Sequence, residues 1–254
     1  MSQADTSLLG RLSWALKSLR AALYLPRLRR HKRELDSITE SDALIEQLCS
    51  RPRRKGRVRA NQNVFEIRSL FEIVQAQRPA VVLEIGTSKG GTLYLWSRAA
   101  APGATIISVD LPGGCGTVTP LHQQVYQSFG VDRGIDTHTL AMDSHSKQAH
   151  AGVASILAGR TVDFLFIDGD HSYEGVKADL LAYSKFMSPN GIVAMHDVAI
   201  PDSHPTITVG KFWRELVAQG CDSEEIIDPD GSSPGIGVVA LETSPAIEPA
   251  HRAA

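Results

Sequence analysis

The stretch Val162–Val198, VDFLFIDGDHSYEGVKADLLAYSKFMSPNGIVAMHDV, decides the fold. Val162 to Ile167 is an apolar run of strand length that breaks into Asp168-Gly169-Asp170-His171. Ile192 to Met195 is a second such run, and it breaks into His196-Asp197. The segment between them has the length and composition of a crossover helix, as parallel neighbours require. Strand, helix, strand in that order carries Asp168, His171, His196 and Asp197 to one sheet edge, the edge at which open α/β sheets take ligands.

Upstream, Val81-Val-Leu-Glu-Ile85 is a buried-strand pattern that runs into Gly86-Thr-Ser-Lys-Gly90-Gly91 and then an apolar helix from Thr92 to Ala100. Glycines in such a turn let the backbone approach a ligand closely and leave a helix N-terminus facing it. Ala104 to Val109 is the next strand, and Asp110 at its end, 24 residues after Gly86, is placed to accept hydrogen bonds from ribose hydroxyls. The spacing departs from GxGxxG, because Thr87 and Ser88 follow Gly86 and no second glycine stands at the required place. That disfavours a dinucleotide. Thr137 to Met142 reads as a third strand, ending in Asp143-Ser144-His145 at the same edge, although Asp143 and Ser144 taken alone read equally well as a helix cap.

The composition is that of an ordinary globular chain of 254 residues, long enough for one sizeable α/β domain with an extension. The three cysteines, Cys49, Cys115 and Cys221, are far apart and form no CxxC, which points away from a disulfide framework or a zinc site and toward a reducing, cytoplasmic setting. Net charge is -2, yet residues 1–60 hold 14 of the 26 Lys and Arg and only 6 of the 28 Asp and Glu. In residues 7–25, Leu8, Leu12, Ala15, Leu16, Leu19, Ala22 and Leu23 fall at helical spacing with Arg11, Lys17 and Arg20 on other faces. Pro26 is expected to end this helix, and a run of Arg and Lys follows to Arg33. Two readings stay open: peripheral contact of residues 7–33 with the inner face of an anionic membrane, or an apolar stripe packed on the domain or on a second copy of the chain. No apolar run reaches the roughly 18 residues of a membrane span. The second basic run, Arg51 to Arg57 with Arg59, lacks interleaved aromatics, so no nucleic-acid partner is expected. Asn63 is placed to cap a helix whose stripe is Val64, Ile67, Leu70, Phe71 and Val74. Toward the end, Val209 to Val217 reads as a helix, Glu225 to Ile227 and Gly235 to Leu241 as strands, and the residues from Thr243 as a disordered tail.

ExGxxxGG over Glu84–Gly91 resembles the first motif of the Rossmann-like, class I S-adenosylmethionine-dependent methyltransferases. GTSKGGT, MDSH, FIDGDHSYEGVKADL and HDV in combination resemble a bacterial family of macrolide-sugar O-methyltransferases and cephalosporin hydroxylase-like proteins, over roughly Asn61 to Leu241. The resemblance implies a mostly parallel seven-stranded sheet with a C-terminal antiparallel strand beside the fifth, helices on both faces, a basic N-terminal extension over 1–60, a methyltransferase domain over 61–242 and a tail over 243–254. It implies that Glu84, Gly86, Thr87, Ser88, Gly90 and Gly91 surround the amino-acid part of S-adenosylmethionine, that Asp110 holds its ribose and that Asp143 and Ser144 meet its adenine. It further implies a divalent cation, Mg or Mn, on Asp168, His196 and Asp197, with His171 as the base and Asp168 beside the acceptor hydroxyl. His196 departs from the carboxylate of the well-described metal-dependent relatives, which leaves the cation open, since magnesium prefers oxygen ligands. The expected activity is O-methyl transfer to a small molecule, sugar or glycan. The alternative is a non-catalytic protein of the same fold that docks through its basic N-terminal helix. A hydroxylase is disfavoured, for the sequence has no iron triad and no flavin fingerprint. Acceptor recognition is assigned to the loops Leu111–Pro120 and Ala199–Thr208.

Overall fold

Strands β1 (Val81–Ile85), β2 (Thr105–Asp110), β3 (Asp136–Ala141), β4 (Val162–Ile167), β5 (Met187–His196), β6 (Ser223–Ile226) and β7 (Ile236–Ala240) form a single sheet in the order β3-β2-β1-β4-β5-β7-β6. The computed structural model describes residues 8–49, 56–112, 119–230 and 233–241, with backbone alone for 8–21. The expected tail from Thr243, Cys115 and most of the basic run and of the Leu111–Pro120 loop lie outside the described residues.

β1 to β5 are mutually parallel, and β7 lies antiparallel between β5 and β6. The chain builds outward from β1 to β3, then returns to the other side of β1 with β4. That reversal leaves a crevice beyond the carboxyl ends of β1 and β4, where the strand order switches. Both expectations, parallel β4–β5 and an antiparallel strand beside the fifth, match this topology.

Alternation along the strands fills two cores. Val82, Ile106, Phe164, Phe166 and Ala194 face one layer, and Leu83, Ile107, Leu165, Ile167 and Val193 face the other. The first layer is covered by α1 (Leu8–Asp36), α2 (Ser41–Cys49), α3 (Val64–Gln77), α4 (Gly91–Ala99) and α5 (Pro120–Tyr126). The second is covered by α6 (Lys147–Leu157), α7 (Tyr173–Tyr183) and α8 (Val209–Ala218). Asn63 caps α3 as its position suggests, its Oδ1 accepting from the Phe65 and Glu66 amides at 2.8 and 3.3 Å.

The first helix differs from its local signal: α1 passes through Pro26 and ends at Asp36. An interior proline forfeits a hydrogen bond and costs about 3 kcal/mol. Against that, Leu28 and Leu35 are both buried in the first core, each contributing about 1.5–3 kcal/mol. His31 is buried as well, and its Nδ1 accepts the Val58 amide at 3.1 Å. Tertiary packing therefore outweighs the proline. Leu44, Ile45 and Leu48 of α2 enter the same core, so the second half of the basic extension packs on the sheet domain. No helix among the described residues is long and apolar enough to cross a membrane.

Candidate functional site

The carboxyl ends of β1, β2, β3, β4 and β5 bring Gly86, Asp110, Asp143, Asp168, His171, His196 and Asp197 to one edge of the sheet. At β1 the approach is close enough to dictate residue type. Gly86 has φ of 96°, and a Cβ built there would lie 2.0 Å from the Asp168 carbonyl oxygen. The Asp168 amide donates to the Ile85 carbonyl at 2.8 Å and the Gly86 amide to the Val109 carbonyl at 2.8 Å, so Ile85 and Gly86 together tie the end of β1 to both neighbours. Gly91 opens α4 against the backbone of Arg59 and Ala60, which a Cβ would meet at 2.0–2.4 Å. Gly90 and Ser88 both hold positive φ, 73° and 44°.

Side chains brace this turn from below and beside. Asp110 Oδ2 accepts the Ser88 amide at 3.0 Å. Burial raises the Asp110 carboxyl, while the amides of Ser88, Leu111 and Thr87 pull it back. The Thr87 hydroxyl contacts that of Ser108, and Ser108 donates to Glu84 Oε2 at 3.1 Å. Trp96 Nε1 donates to the other Glu84 oxygen at 3.0 Å. Glu84 is thus fully enclosed beneath the turn, with both oxygens engaged internally, and burial pushes its carboxyl up to about 8. It supports the turn from inside, without exposure to the crevice.

At the end of β3, Asp143 Oδ1 accepts the His145 amide at 3.0 Å, and the Asp143 carbonyl accepts from Ser146. Ser146 rather than Asp143 or Ser144 is the N-cap of α6, its hydroxyl accepting from Ala149 at 3.1 Å. The carboxylate of Asp143 is half-buried and the Ser144 carbonyl accepts the Tyr183 hydroxyl at 2.8 Å.

The ends of β4 and β5 place four titratable groups in contact. His171 Nδ1 lies 2.6 Å from Asp197 Oδ2 and 4.0 Å from Asp168 Oδ1. His196 Nδ1 lies 3.2 Å from Asp168 Oδ1 and 3.1 Å from Asp197 Oδ1, within ion-pair distance but off the line of a hydrogen bond. Its buried Nε2 has no hydrogen-bond partner among the described residues. The Asp197 backbone has φ of 68°, an uncommon conformation for a residue with a side chain. Burial works against the Asp197 carboxylate, yet the two imidazoles hold it well below the usual range. Asp197 raises His171 against the opposing effect of burial, with Asp168 adding to the rise. Burial likewise opposes charge on His196, and the two carboxylates overcome it.

Donor atoms of Asp168, His171 and Asp197 lie within 4.8 Å of one another, close enough to share a divalent cation. The sequence grouped His196 with the two acids; the geometry groups His171. His171 stands at the rim with its side chain 41% exposed, whereas that of His196 is 9% exposed. Two carboxylates with one imidazole suit manganese better than magnesium. Asp170 faces its own loop, where its Oδ1 accepts the Ser172 amide at 2.9 Å.

One contributor carries no signal in the sequence. Gln62 Nε2 donates to Asp168 Oδ2 at 2.7 Å, fixing that carboxylate from a segment 106 residues away. Thr208, at the end of the Ala199–Thr208 loop, donates its amide to the His171 carbonyl at 2.8 Å and accepts the Tyr173 amide on its hydroxyl at 2.7 Å. This loop is therefore anchored directly to the His171 turn.

Residues 83–198 match the family described as "Methyltransferase domain". An uncharacterised protein of Sinorhizobium fredii is 26% identical over 152 residues, which are 58% of this chain and 16% of that protein. The chain thus spans about a sixth of the length of that curated relative. Among solved structures, a candidate O-methyltransferase from Klebsiella pneumoniae superposes with a TM-score of 0.50 at 15% identity, covering 85% of this chain and 89% of that one. An O-methyltransferase from Bacillus cereus in complex with S-adenosylhomocysteine gives a TM-score of 0.49 at 16% identity, over 83% of this chain and 96% of that one. The sheet order and the Klebsiella superposition agree on a Rossmann-like methyltransferase fold.

Proposed function

We propose that this chain, whose residues 83–198 match a family described as "Methyltransferase domain", is an S-adenosylmethionine-dependent O-methyltransferase of small molecules, with a sugar or glycan hydroxyl as the acceptor class. The observation that carries the chemical half of this reading is His171 Nδ1 at 2.6 Å from Asp197 Oδ2, at a sheet edge shared with the glycine turn.

An alcohol hydroxyl attacks a sulfonium methyl only as its proton departs, so a base must stand at the acceptor. With Nδ1–H donated to Asp197, the neutral imidazole of His171 presents Nε2 for that proton. Asp197 fixes the tautomer and stabilises the imidazolium that forms, the division of labour of a catalytic triad. Asp168, held by Gln62, orients the acceptor hydroxyl or a cation bound to it. A Mg or Mn ion on Asp168 and Asp197, with His196 or His171 as the nitrogen ligand, would supply charge that lowers the hydroxyl pKa. His171 Nδ1 serves either the cation or Asp197, not both at once.

On the other side of the crevice, Gly86, Thr87, Ser88, Gly90 and Gly91 form the turn against which the methionine part of the cofactor lies, with Glu84 acting through that turn. Asp110 meets the ribose and Asp143 with Ser144 the adenine. Burial of Leu28 and Leu35 in the core supports packing of α1 on its own domain over membrane docking. Transfer of labelled methyl from S-adenosylmethionine to a panel of hydroxylated sugars and aglycones tests the reading. His171→Ala should lower turnover at least about a hundredfold while cofactor affinity stays within a factor of two; equal turnover removes His171 from the base role.

A further inference from the structure

α7 holds a carboxylate that the proposed chemistry does not use. Asp179 is completely buried, and neither oxygen accepts a hydrogen bond among the described residues. Its near neighbour is His145, in the turn after β3, whose Nε2 lies 3.3 Å from Asp179 Oδ1 and 3.2 Å from the Gly175 carbonyl. The other ring nitrogen, Nδ1, lies 3.7 Å from Asp143 Oδ1. Nε2 therefore donates to the Gly175 carbonyl, and the carboxylates of Asp179 and Asp143 on either side of the ring favour its charged form. A buried carboxylate without a counter-charge is costly, so the two groups depend on each other.

A second tie joins the same two elements. The Tyr183 hydroxyl, one turn further along α7, donates to the Ser144 carbonyl. The edge of the Tyr183 ring in turn meets His150 of α6 at 5.2 Å between centroids. The groups facing His145 are thus Asp143 from its own turn, Asp179 and the Gly175 carbonyl from α7, with Tyr183 and His150 beyond them. α7 itself begins at Tyr173, directly after His171.

We propose that His145 is a positioning residue: held between Asp143 and the buried Asp179 as a cation, it fastens the turn bearing Asp143 and Ser144 to α7 and so sets the adenine rim relative to the His171 loop. This rests on the S-adenosylmethionine reading of the edge. Asp179 lifts the His145 imidazole to about 9, against the effect of burial, so the clamp is closed at neutral pH and opens above that value.

The test combines histidine NMR titration of the full chain with calorimetry of S-adenosylhomocysteine, for wild type, His145→Gln and Asp179→Asn. The His145 resonance, identified by its loss in His145→Gln, should titrate near 9 in wild type and fall toward about 6.5 in Asp179→Asn. His145→Gln should bind the ligand about fivefold more weakly at about pH 7.5, and the two proteins should converge at about pH 10. Titration of the ligand's own amino group affects both proteins and cancels in the ratio. Should His145→Gln fail to fold, Asp179→Asn provides the same ratio. A wild-type His145 that titrates near about 6.5, or a ratio that stays constant with pH, overturns the proposal. Wild-type protein that binds no S-adenosylhomocysteine while His145 still titrates near 9 overturns the cofactor reading instead, so the two failures are distinct.

Discussion

Replacement of Gly86 by alanine separates two physical costs at the point where β1, β2 and β4 meet. The new Cβ would lie 2.0 Å from the Asp168 carbonyl oxygen and 2.6 Å from its carbon, and these are backbone atoms that no rotamer change can remove. Overpacking of this kind costs about 1–3 kcal/mol. The φ of 96° adds a conformational cost of about 1–3 kcal/mol. Gly103, with φ of 77° and nothing among the described residues within 4 Å of its would-be Cβ, carries a conformational cost of the same kind without the collision. Urea midpoints at unchanged m-value should therefore place Gly86→Ala about 1–3 kcal/mol below Gly103→Ala. The strand ends must part by roughly an ångström, a displacement at Asp168 worth about a hundredfold in turnover. If Gly86→Ala and Gly103→Ala unfold at the same urea concentration, the close approach of β1 to β4 is not what requires glycine there.

Glu84, raised to about 8 by burial, binds more protons folded than unfolded between its ordinary value and 8. Stability of wild type should fall across that window, and Glu84→Gln, nearly isosteric with the protonated acid, should flatten this part of a thermal-melt profile; an unchanged slope refutes the buried-acid account. For the ionic cluster the signs differ by residue. The depressed Asp197 stabilises above about pH 3.9 and loses its contribution as pH falls through its folded value, whereas the raised His171 stabilises below about pH 6.5 and loses its contribution as pH rises through its folded value. In the pH–rate profile, kcat/KM should rise with pH through a pKa above about 6.5 as His171 gives up its proton; a limb set below that value contradicts the Asp197 pairing. Asp197→Asn keeps a residue that tolerates its left-handed backbone while removing the charge, so Mn²⁺ affinity measured by electron paramagnetic resonance should drop at least about tenfold, and equal affinity removes Asp197 as a ligand.

The sheet and its ligand edge were legible because the signals are local. Leu165 and Phe166 point to opposite cores, so β4 has to be apolar from Phe164 to Ile167 and reads as a strand without any partner in view. Gly86 and Gly90 announce the turn through the positive φ that the turn demands. Pro26 misleads for the complementary reason: its local cost is real, but Leu28 and Leu35 recover it through contacts far away in sequence. The same distance hides Gln62, an unremarkable amide until the fold brings it to Asp168. Asp179 likewise reads as a polar helix position, and only the fold shows it enclosed beside His145. Glu84 was recognisable as part of the motif, whereas its engagement by Trp96 and Ser108 beneath the turn depends on α4 and β2 packing over it.

Calorimetric titration of the full chain with S-adenosylhomocysteine, for wild type and Asp110→Ala side by side, bears most directly on the proposed cofactor site. Wild type should bind at about micromolar affinity, and removal of the strand-end acid should weaken binding at least about tenfold. No heat at millimolar ligand, or equal affinity in the two proteins, would contradict the assignment of this sheet edge to the methyl donor.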